Sequence, residues 1–587
     1  MKKMGVHSSF VLFYFYFFFA KSSLAAAAQN FEVPWSTKTF GPDGPWQAVM
    51  ITVGGNDSTR TLRVQSPSDL TVYPGGEWNS LAFAPSACDP YPNSLCGAGG
   101  FWDPDLTSTR TSISFPASWV DNSTGVHVSN AQRVILGLTI NQRTVWNASL
   151  ASASSGNVTY PNGKVGGVPL GYLSLGADNS RQFFTLSDSR VGMGINASIF
   201  PAQLYEDKTT PSNSYGLHIG SAAFNYPGSL VFGGYNKGRV IGPVTSFKDQ
   251  NAVDLLDISI GVATGDSPFN FTGKDKLLST GQTSVTPDPL SPYLSLPRET
   301  CDRLASVLPV RFDKDLQYYL WNTDDPNFAR IVSSPAYLGF TFPPSPGTTN
   351  NVVIKVPFAL LNLTLEAPIT NTPKQYFPCL PYKYTPKLGR AFLQAAFLGR
   401  NWGTKTSWLA QAPGPGPARK GLGDQNTDIP NEATMIDGFP GADLFADTWK
   451  GKWSLLDNRA GVGGGSQSGG SGVDNGSTSS GLSTGAKAGI GVGAALGAIT
   501  VLVAAVFFWR RRSTRNKASQ PHADTTNGVP VPYDDQHQHR NEKIPTDHYA
   551  HQVNGGSHND GRISELPAST YGAPVEIADN SVQYGSR

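Results

Sequence analysis

Side chains able to carry chemistry are scarce in the long segment that precedes residue 488. Once an amino-terminal leader is set aside, histidine occurs there only as His127 and His218. With only two histidines, we do not expect a histidine metal site or a nucleophile–histidine triad. The glycine-rich stretches lack the strand-to-helix context of a phosphate loop. We therefore expect no metal and no cofactor, and the chemistry left to examine is that of carboxylates acting as acid and base.

The four cysteines also argue against a thiol nucleophile. Cys88, Cys96, Cys301 and Cys379 all precede residue 488, in a segment that we place in an oxidising compartment, where disulfides form. Four cysteines allow three pairings. Proximity in the sequence favours Cys88–Cys96, which leaves Cys301–Cys379.

The first 28 residues are typical of a signal peptide. Lys2 and Lys3 precede an apolar run from Phe10 to Ala20, and Ala25 to Ala28 offer small residues for cleavage. The alternative is a signal anchor that stays uncleaved.

A second apolar run, residues 488–509, has no charged residue and is long enough to cross ~30 Å of hydrocarbon. Arginines follow at once from Arg510, and such clusters stay cytosolic. A glycolipid-anchor signal is the alternative, but it would end in its apolar tail, whereas residues 510–587 follow here. The pattern predicts a single-pass type I protein of the plasma membrane or cell surface. Its cytoplasmic tail, 510–587, has the polar composition of disordered segments.

Sequons for N-glycosylation agree with an extracellular placement of the segment before residue 488. They lie at Asn56, Asn122, Asn147, Asn157, Asn196, Asn270, Asn362 and Asn475.

Residues 29–412 have the pattern of an all-β domain. Short apolar runs such as Val134 to Ile140 and Ser229 to Phe232 alternate with glycine-rich turns. Cys301 to Leu308 is the better of two candidate helices. Residues 413–487 are rich in Pro, Gly and Ser and predict a stalk. With 15% charged residues and a net charge of +2, nothing indicates nucleic-acid binding.

Several motifs in order along this domain resemble the pepsin-type aspartic proteases (peptidase A1-like). They are the segment from Ser86 to Pro104 with its two cysteines, Gly171–Gly176 (GYLSLG), Gly228–Asn236 (GSLVFGGYN), Tyr293–Cys301 (YLSLPRETC) and Leu388–Leu393 (LGRAFL). The resemblance implies a bilobal pepsin-like acid protease fold with an amino lobe of about 29–235 and a carboxyl lobe of about 236–412. It also implies that the disulfide of the carboxyl lobe is Cys301–Cys379. The architecture is similar to membrane-anchored fungal members of the family with degenerate active-site loops.

The resemblance implies that catalysis would need two aspartates, one in each lobe, close enough to share a proton. Asp69–Val72 (DLTV) is similar to the family's strand after the first active-site loop. This match places Val64 or Gln65 at the first catalytic position, and neither is acidic. Asp69 is then a turn or strand-end residue.

The second active-site loop matches Thr286–Pro292, and Asp288 aligns with the second catalytic aspartate. Pro289 and Leu290 replace the Thr or Ser and the Gly of the family motif. Proline lacks a backbone donor, and leucine does not readily adopt the positive φ that is open to glycine. Asp288 is either a remnant of the catalytic pair or a turn residue before proline.

The flap that covers the substrate in this family matches Trp119–Gly125, with Trp119 in place of the usual tyrosine. We expect Trp119 to line the cleft between the lobes. A glycan on Asn122 would lie at the tip of the flap and obstruct a long substrate.

These features predict a catalytically inactive pepsin-like ectodomain that binds or senses, with a peptide or a cell-wall polymer in its cleft. One alternative is an active surface aspartic endopeptidase, which needs a partner for Asp288, with Asp69 or Asp57 the nearest acids in the amino lobe. The other alternative is a structural surface glycoprotein. The sequence names no partner for the tail.

Overall fold

The computed structural model describes residues 27–54, 67–91, 95–102, 118–185, 194–248, 251–344, 347–416, 423–441 and 444–456. Within these ranges the chain is mostly β, as predicted, with thirty strands and five short α-helices. The predicted signal peptide (apart from its last two residues), the transmembrane segment 488–509 and the tail 510–587 lie outside the described part. Among the described residues, no helix has the length and apolarity needed to cross a membrane.

The first half of the domain is built on one large sheet. In chain order the elements of this half are β1 (Phe31–Glu32), β2 (Val49–Val53), β3 (Ser68–Pro74), β4 (Ser80–Phe83), β5 (Ser118–Asp121), β6 (Val126–Ile140), β7 (Arg143–Thr159), β8 (Val165–Gly166), β9 (Tyr172–Leu173), β10 (Arg181–Thr185), β11 (Gly194–Ser198), α1 (Phe200–Glu206), β12 (Ser214–His218), β13 (Ser229–Phe232) and β14 (Gly234–Asn236). A ten-stranded sheet has the order β10-β11-β7-β4-β9-β3-β2-β6-β5, with β8 paired to β7.

The second half is divided among smaller sheets. Its elements are β15 (Ile241–Lys248), β16 (Val253–Leu255), β17 (Asp257–Val262), β18 (Thr283–Pro287), β19 (Leu294–Leu296), α2 (Arg298–Ala305), β20 (Val310–Asp313), β21 (Tyr318–Trp321), α3 (Pro326–Ser333), β22 (Ala336–Phe342), β23 (Val352–Pro357), β24 (Leu363–Leu365), β25 (Lys374–Phe377), β26 (Cys379–Pro381), β27 (Lys387–Leu388), α4 (Arg390–Leu393), β28 (Ala396–Asn401), β29 (Thr406–Gln411), β30 (Asn426–Asp428) and α5 (Leu444–Asp447). Three sheets have the orders β16-β18-β27-β19-β26, β17-β22-β23 and β20-β21-β25-β24.

A six-stranded sheet joins the two halves, because it takes strands from both ends of the domain. Its order is β1-β13-β12-β28-β29-β15. Its four inner strands, β13, β12, β28 and β29, are buried throughout, as a central sheet covered on both faces requires, whereas the edge strands β1 and β15 are partly exposed. Ser229 to Phe232, predicted as a short strand, forms β13 of this sheet.

Local sequence signals explain why the short helices begin where they do. At α3, the Asp325 side chain accepts a hydrogen bond from the Asn327 backbone, and Pro326 occupies the first turn. Both are preferred at helix N-termini. The predicted helix at Cys301 to Leu308 is α2, which begins three residues earlier.

Both predicted disulfides are present. Cys88–Cys96 closes a loop with a sequence separation of 8, and Cys301–Cys379 one with a separation of 78. The second disulfide fastens α2 to β26, so it holds together parts of the second half that are distant in sequence.

The packed body extends past the predicted domain end at residue 412. Strand β30 pairs with β14, Ile429 is fully buried, and Trp449 packs edge-on against Phe224 and stacks on Trp453. These apolar side chains dock the segment 423–456 onto the domain. The predicted stalk of 413–487 is therefore corrected: a stalk can begin only after residue 456, and residues 457–487 lie outside the described part.

Candidate functional site

The two halves contain equivalent strand crossings at the centre of the molecule. In the first half β3 runs parallel to β9, pairing Pro74 with Leu173. In the second half β18 runs parallel to β27, pairing Pro287 with Leu388. In each half the next strand then returns antiparallel along the same short strand, β4 along β9 and β19 along β27.

The residue that follows each crossing strand occupies the same place in the hydrogen-bond pattern. The Gly75 backbone donates to the Leu173 carbonyl at 2.9 Å, and the Asp288 backbone donates to the Leu388 carbonyl at 3.0 Å. Gly75 is therefore the counterpart of Asp288.

This pairing corrects the predicted position of the first catalytic residue. Val64 and Gln65, and also Asp57, lie outside the described part of the chain. Asp69 lies within β3, opposite Thr52, and its Oδ1 accepts from the Thr52 hydroxyl at 2.6 Å. The segment Asp69–Val72 thus belongs to the strand that enters the loop, and the position opposite Asp288 is Gly75, which has no side chain.

Leu290 fills the space that a side chain on Gly75 would need. A β-carbon built on Gly75 would lie 2.6 Å from Cγ and Cδ2 of Leu290 and 3.3 Å from Cγ of Pro289. Contacts of 2.6 Å are far inside van der Waals distance, so a carboxylate here would displace Leu290. An apolar contact joins the two loops at the point where a carboxylate pair would have to stand.

Asp288 is held by a lysine. Lys387 Nζ donates to Asp288 Oδ2 at 2.8 Å, and the two side chains are 25% and 14% exposed. The Leu290 backbone also donates to Asp288 Oδ1 at 2.9 Å. Burial disfavours the charge on Lys387, but the charge and hydrogen bond of Asp288 outweigh burial, so the pKa of Lys387 is raised. The ammonium therefore stays protonated at neutral pH.

The same ammonium reaches the turn between β5 and β6. Lys387 Nζ donates to Ser123 Oγ at 2.8 Å, and Ser123 Oγ donates to Asp121 Oδ1 at 2.6 Å. A serine–lysine nucleophile would need a neutral amine as base, and the raised pKa of Lys387 opposes that role. The contact instead fastens the turn to the second half of the domain.

A cavity of about 380 Å³ lies beneath this turn. The predicted flap Trp119–Gly125 forms β5 and the turn into β6, and Trp119 lines the cavity. Other aromatic rings share the wall: Tyr73, Tyr160, Tyr172, Tyr293 and Tyr382. Asn122 is exposed and also borders the cavity, so a glycan attached there would stand at its mouth.

The cavity wall includes a buried acid that the sequence did not identify. The Asp43 side chain accepts from Trp46 Nε1 and from the Tyr293 hydroxyl, each at 2.8 Å. The Tyr376 hydroxyl donates to the Asp43 carbonyl at 2.6 Å. Burial, and then the charge of Asp43, raise the pKa of Tyr293 well above its usual value, so its hydroxyl remains a donor. In the sequence Asp43 is surrounded by glycines and prolines, a composition typical of turns, and nothing local signals that distant strands bury its carboxylate.

Arg390 is the second charged residue of the wall that was not predicted as a site residue. Its side chain is 6% exposed, and its guanidinium lies 4.2 Å from the ring centre of Tyr73 and 5.0 Å from that of Trp46. Arg390 Nη1 donates to the carbonyls of Leu290 at 2.8 Å and Pro289 at 3.3 Å. These two hydrogen bonds fix the backbone of the second loop to the Arg390 side chain.

A smaller cavity of about 180 Å³ abuts the same junction. Glu77, Tyr215 and Asp288 are among its lining residues. The Glu77 side chain is exposed and accepts a hydrogen bond from Asn251. Burial raises the pKa of Tyr215, so its hydroxyl stays protonated. Gly76 borders both cavities, whereas Leu290 lines only the first and Asp288 and Pro289 line only the second.

The predicted glycosylation sites differ in exposure. Asn122, Asn147, Asn196 and Asn270 are exposed, whereas Asn157 and Asn362 are partly buried. Asn56 and Asn475 lie outside the described residues. Among the residues that the structure describes, no group of three His, Cys, Asp or Glu side chains is arranged to hold a metal ion.

No protein-family model matches the chain, and no curated protein matches it. Among solved structures, an aspartic proteinase from Irpex lacteus is similar, with a TM-score of 0.41 and 15% sequence identity. The similarity covers 65% of this chain and 97% of that one. Similarity at this level assigns no activity to the chain.

Proposed function

We propose that this chain is a cell-surface, single-pass membrane glycoprotein whose pepsin-like ectodomain is catalytically inactive and binds or senses a ligand. The observation that carries the proposal is the central junction. Gly75 stands opposite Asp288, and Asp288 is paired with Lys387.

The chemistry of amide hydrolysis explains why this junction matters. Two carboxylates about 3 Å apart share one proton, so that one acts as base and the other as acid on a single water molecule. Here one of the two carboxylates is missing. The other accepts a hydrogen bond from the Lys387 ammonium, whose pKa is raised, and it has no second carboxylate with which to share a proton.

The cavity under the β5–β6 turn supports a binding role. Its volume of about 380 Å³ is at the lower end of the range for small-molecule sites. Aromatic rings with a few polar groups are typical of such sites, and the wall combines Trp119 and Tyr172 with Asp43 and Arg390.

The surface placement is supported by the sequence and by the sequons. A leader, a long apolar run followed by arginines, and four exposed asparagine sequons all suit a type I glycoprotein. Epitope tags after residue 28 and after residue 587 test this placement. We expect intact cells to bind an antibody to the first tag only, and staining of the second tag on intact cells would reject the placement.

The test of the functional proposal is peptide hydrolysis. Purified full-length protein is incubated with a mixture of unstructured peptides from pH 3 to pH 7, with and without pepstatin, and its folding is verified at each pH by tryptophan fluorescence. We expect no new peptide ends. Cleavage that pepstatin blocks would reject the proposal.

One observation favours the alternative of an active endopeptidase. Glu77 lines the same 180 Å³ cavity as Asp288, so an acid other than Asp69 or Asp57 is available as a partner. If cleavage were found, Glu77→Gln would abolish it under this alternative.

A further inference from the structure

The charges in the wall of the larger cavity bear on what it binds, and the inference from them rests on the binding role proposed above. The charged residues that line the cavity are Asp43, Asp121 and Arg390, so one negative charge is in excess. Asp288 and Lys387, which adjoin the wall, form an ion pair and leave this excess unchanged. The potential in the cavity therefore favours a cation over an anion.

Two of the three wall charges are already matched by groups of the protein. Asp43 accepts on both carboxylate oxygens, from Trp46 and from Tyr293. Arg390 donates to the carbonyls of the second loop. Both side chains are only 6% exposed, so the charge that is most open to an occupant is that of Asp121.

Asp121, the last residue of β5, is more exposed than Asp43 or Arg390 and keeps one oxygen free. Its Oδ1 accepts from the Ser123 backbone at 2.9 Å and from the Ser123 hydroxyl at 2.6 Å. Its Oδ2 accepts no hydrogen bond from any residue that the structure describes, and it is not sealed from solvent. Such a carboxylate oxygen is a suitable acceptor for an ammonium group.

Aromatic rings accompany Asp121 in the wall. Trp119 precedes it by two residues in the same strand, so the two side chains point to the same side of β5, and both line the cavity. Burial, and then the charge of Asp121, raise the pKa of Tyr172 to about 12, so the carboxylate is near enough to act on that residue. Aromatic faces attract cations, and a cation held by Asp121 would lie among these rings.

We propose that the cavity receives a cationic group, an ammonium or a quaternary ammonium. Asp121 Oδ2 supplies the opposite charge, and Trp119 with the neighbouring tyrosine rings supplies aromatic faces and apolar surface. The cation belongs either to a lysine side chain of a peptide or to a free amine, since both present the same charged group.

The experiment compares cations with neutral molecules of similar shape by calorimetry on the purified full-length protein at pH 7. The probes for a free amine are choline and 3,3-dimethyl-1-butanol. The probes for a peptide are acetyl-Gly-Lys-Gly-amide and the same peptide with norleucine in place of lysine. We expect at least one cation to bind about tenfold or more tightly than its neutral counterpart, as an ion pair combined with an aromatic contact allows. Preference in one pair alone identifies that source, and preference in both pairs shows that the charged group suffices.

Two variants assign the preference to the wall. Asp121→Ser removes the charge, keeps an acceptor oxygen for the turn and creates no sequon, and it should abolish the difference between cation and neutral probe. Trp119→Leu removes the ring but keeps an apolar side chain, and it should reduce the difference. Asp325→Ser is the matched control and should change nothing, because Asp325 also accepts from the backbone two residues further on but does not line the cavity.

The outcomes separate this inference from the functional proposal. Equal binding of cation and neutral probe would overturn the cation assignment and leave a binding cavity standing. A preference that Asp121→Ser and Trp119→Leu both leave unchanged would overturn it as well, and so would failure of all four probes to bind. If the variants do not fold, the ratio of cation to neutral probe in the unchanged protein decides. None of these results bears on the hydrolysis test.

Discussion

The loop at Gly75 and the loop at Asp288 share a backbone pattern but not a chemistry. Both follow a strand that runs parallel to a two-residue strand, and both donate to a leucine carbonyl at nearly the same distance, 2.9 Å and 3.0 Å. One carries no side chain, and the other carries a carboxylate that is paired with Lys387. Strand pairing therefore maintains the crossing whether or not the loop carries an acid.

The side chains of the two loops are also adapted to each other. Leu290 of the second loop packs where Gly75 of the first leaves room, so van der Waals contact occupies the space at the junction. Close packing of this kind makes either loop sensitive to changes in the other. The predictions below use that dependence, and the difference between the two halves, in order of decreasing effect.

The disulfides should stabilise the two halves unequally. Removing Cys301–Cys379 by substituting both cysteines with serine frees a loop of separation 78 and should lower the free energy of unfolding by about 4.5 kcal/mol. The same change at Cys88–Cys96, with a separation of 8, should cost about 2.5 kcal/mol. Urea unfolding of both variants measures the difference, and equal losses would contradict the chain-entropy argument.

Acid should weaken the sheet that the two halves share. His218 lies buried in β12, its Nε2 within 2.9 Å of the Gln394 carbonyl. Burial, and then the charge of Arg239, lower the pKa of His218 to about 3. Between about pH 6.5 and pH 3 the unfolded chain binds a proton that the folded chain does not. The free energy of unfolding should therefore decrease by about 1.4 kcal/mol for each unit by which the pH is lowered.

Unfolding in urea at pH 7 and at pH 4.5 measures this slope. The variant His218→Gln, which keeps a donor but does not titrate, should show a flatter dependence on pH. An unchanged slope in the variant would mean that other groups are responsible. The effect also explains why folding must be verified at every pH of the hydrolysis test.

The Lys387 contact should stabilise the second loop. Lys387→Met leaves the mostly buried carboxylate of Asp288 without its partner and should cost about 2 kcal/mol. The matched control is Arg298→Met, which breaks the exposed pair with Asp302 and should cost less than about 1 kcal/mol. Adding Asp288→Asn to Lys387→Met should recover part of the loss, and a larger loss in the double variant would contradict this role for Lys387.

The contact between the loops gives the smallest effect. Gly75→Ala places a β-carbon 2.6 Å from Leu290 and should cost roughly 1 kcal/mol, the lower end for overpacking, because the leucine side chain can shift. In a Leu290→Ala background the cost of this contact should disappear, and only the strain of a side chain at the positive φ of Gly75 (+158°) should remain. Additive losses in the double variant would show that the two loops do not depend on each other.

Local patterns predicted much of the fold and less of the site. A short apolar run indicated the strand at Val134 to Ile140, which lies within β6, and proximity in the sequence favoured the cysteine pairs that are present. The counterpart of Asp288 was placed wrongly, because the sequence of Asp69–Val72 fits a strand before the loop as well as it fits a strand after the loop. Only the pairing of Pro74, at the end of the same strand, with the distant Leu173 shows that this segment precedes the loop.

Two other features, the buried charges and the docking of residues 423–456, also depend on contacts that are distant in sequence, so local patterns did not predict them. Nothing near Arg390 or Asp43 in the sequence signals that either charge is buried, because burial comes from strands elsewhere in the chain. The docking of residues 423–456 was hidden by their polar composition. The aromatic residues Trp449 and Trp453 were the available signal, since isolated aromatics in a polar segment often mark a docking contact.

The most direct measurement compares the unchanged protein with Asp288→Asn in prolonged incubation with unstructured peptides at pH 4 to 6, followed by mass spectrometry of all products. We predict that neither protein yields a cleaved peptide, and that the variant differs only in stability. Products formed by the unchanged protein and absent with Asp288→Asn would show that Asp288 works with a second acid, and would contradict the inactive junction on which the account rests.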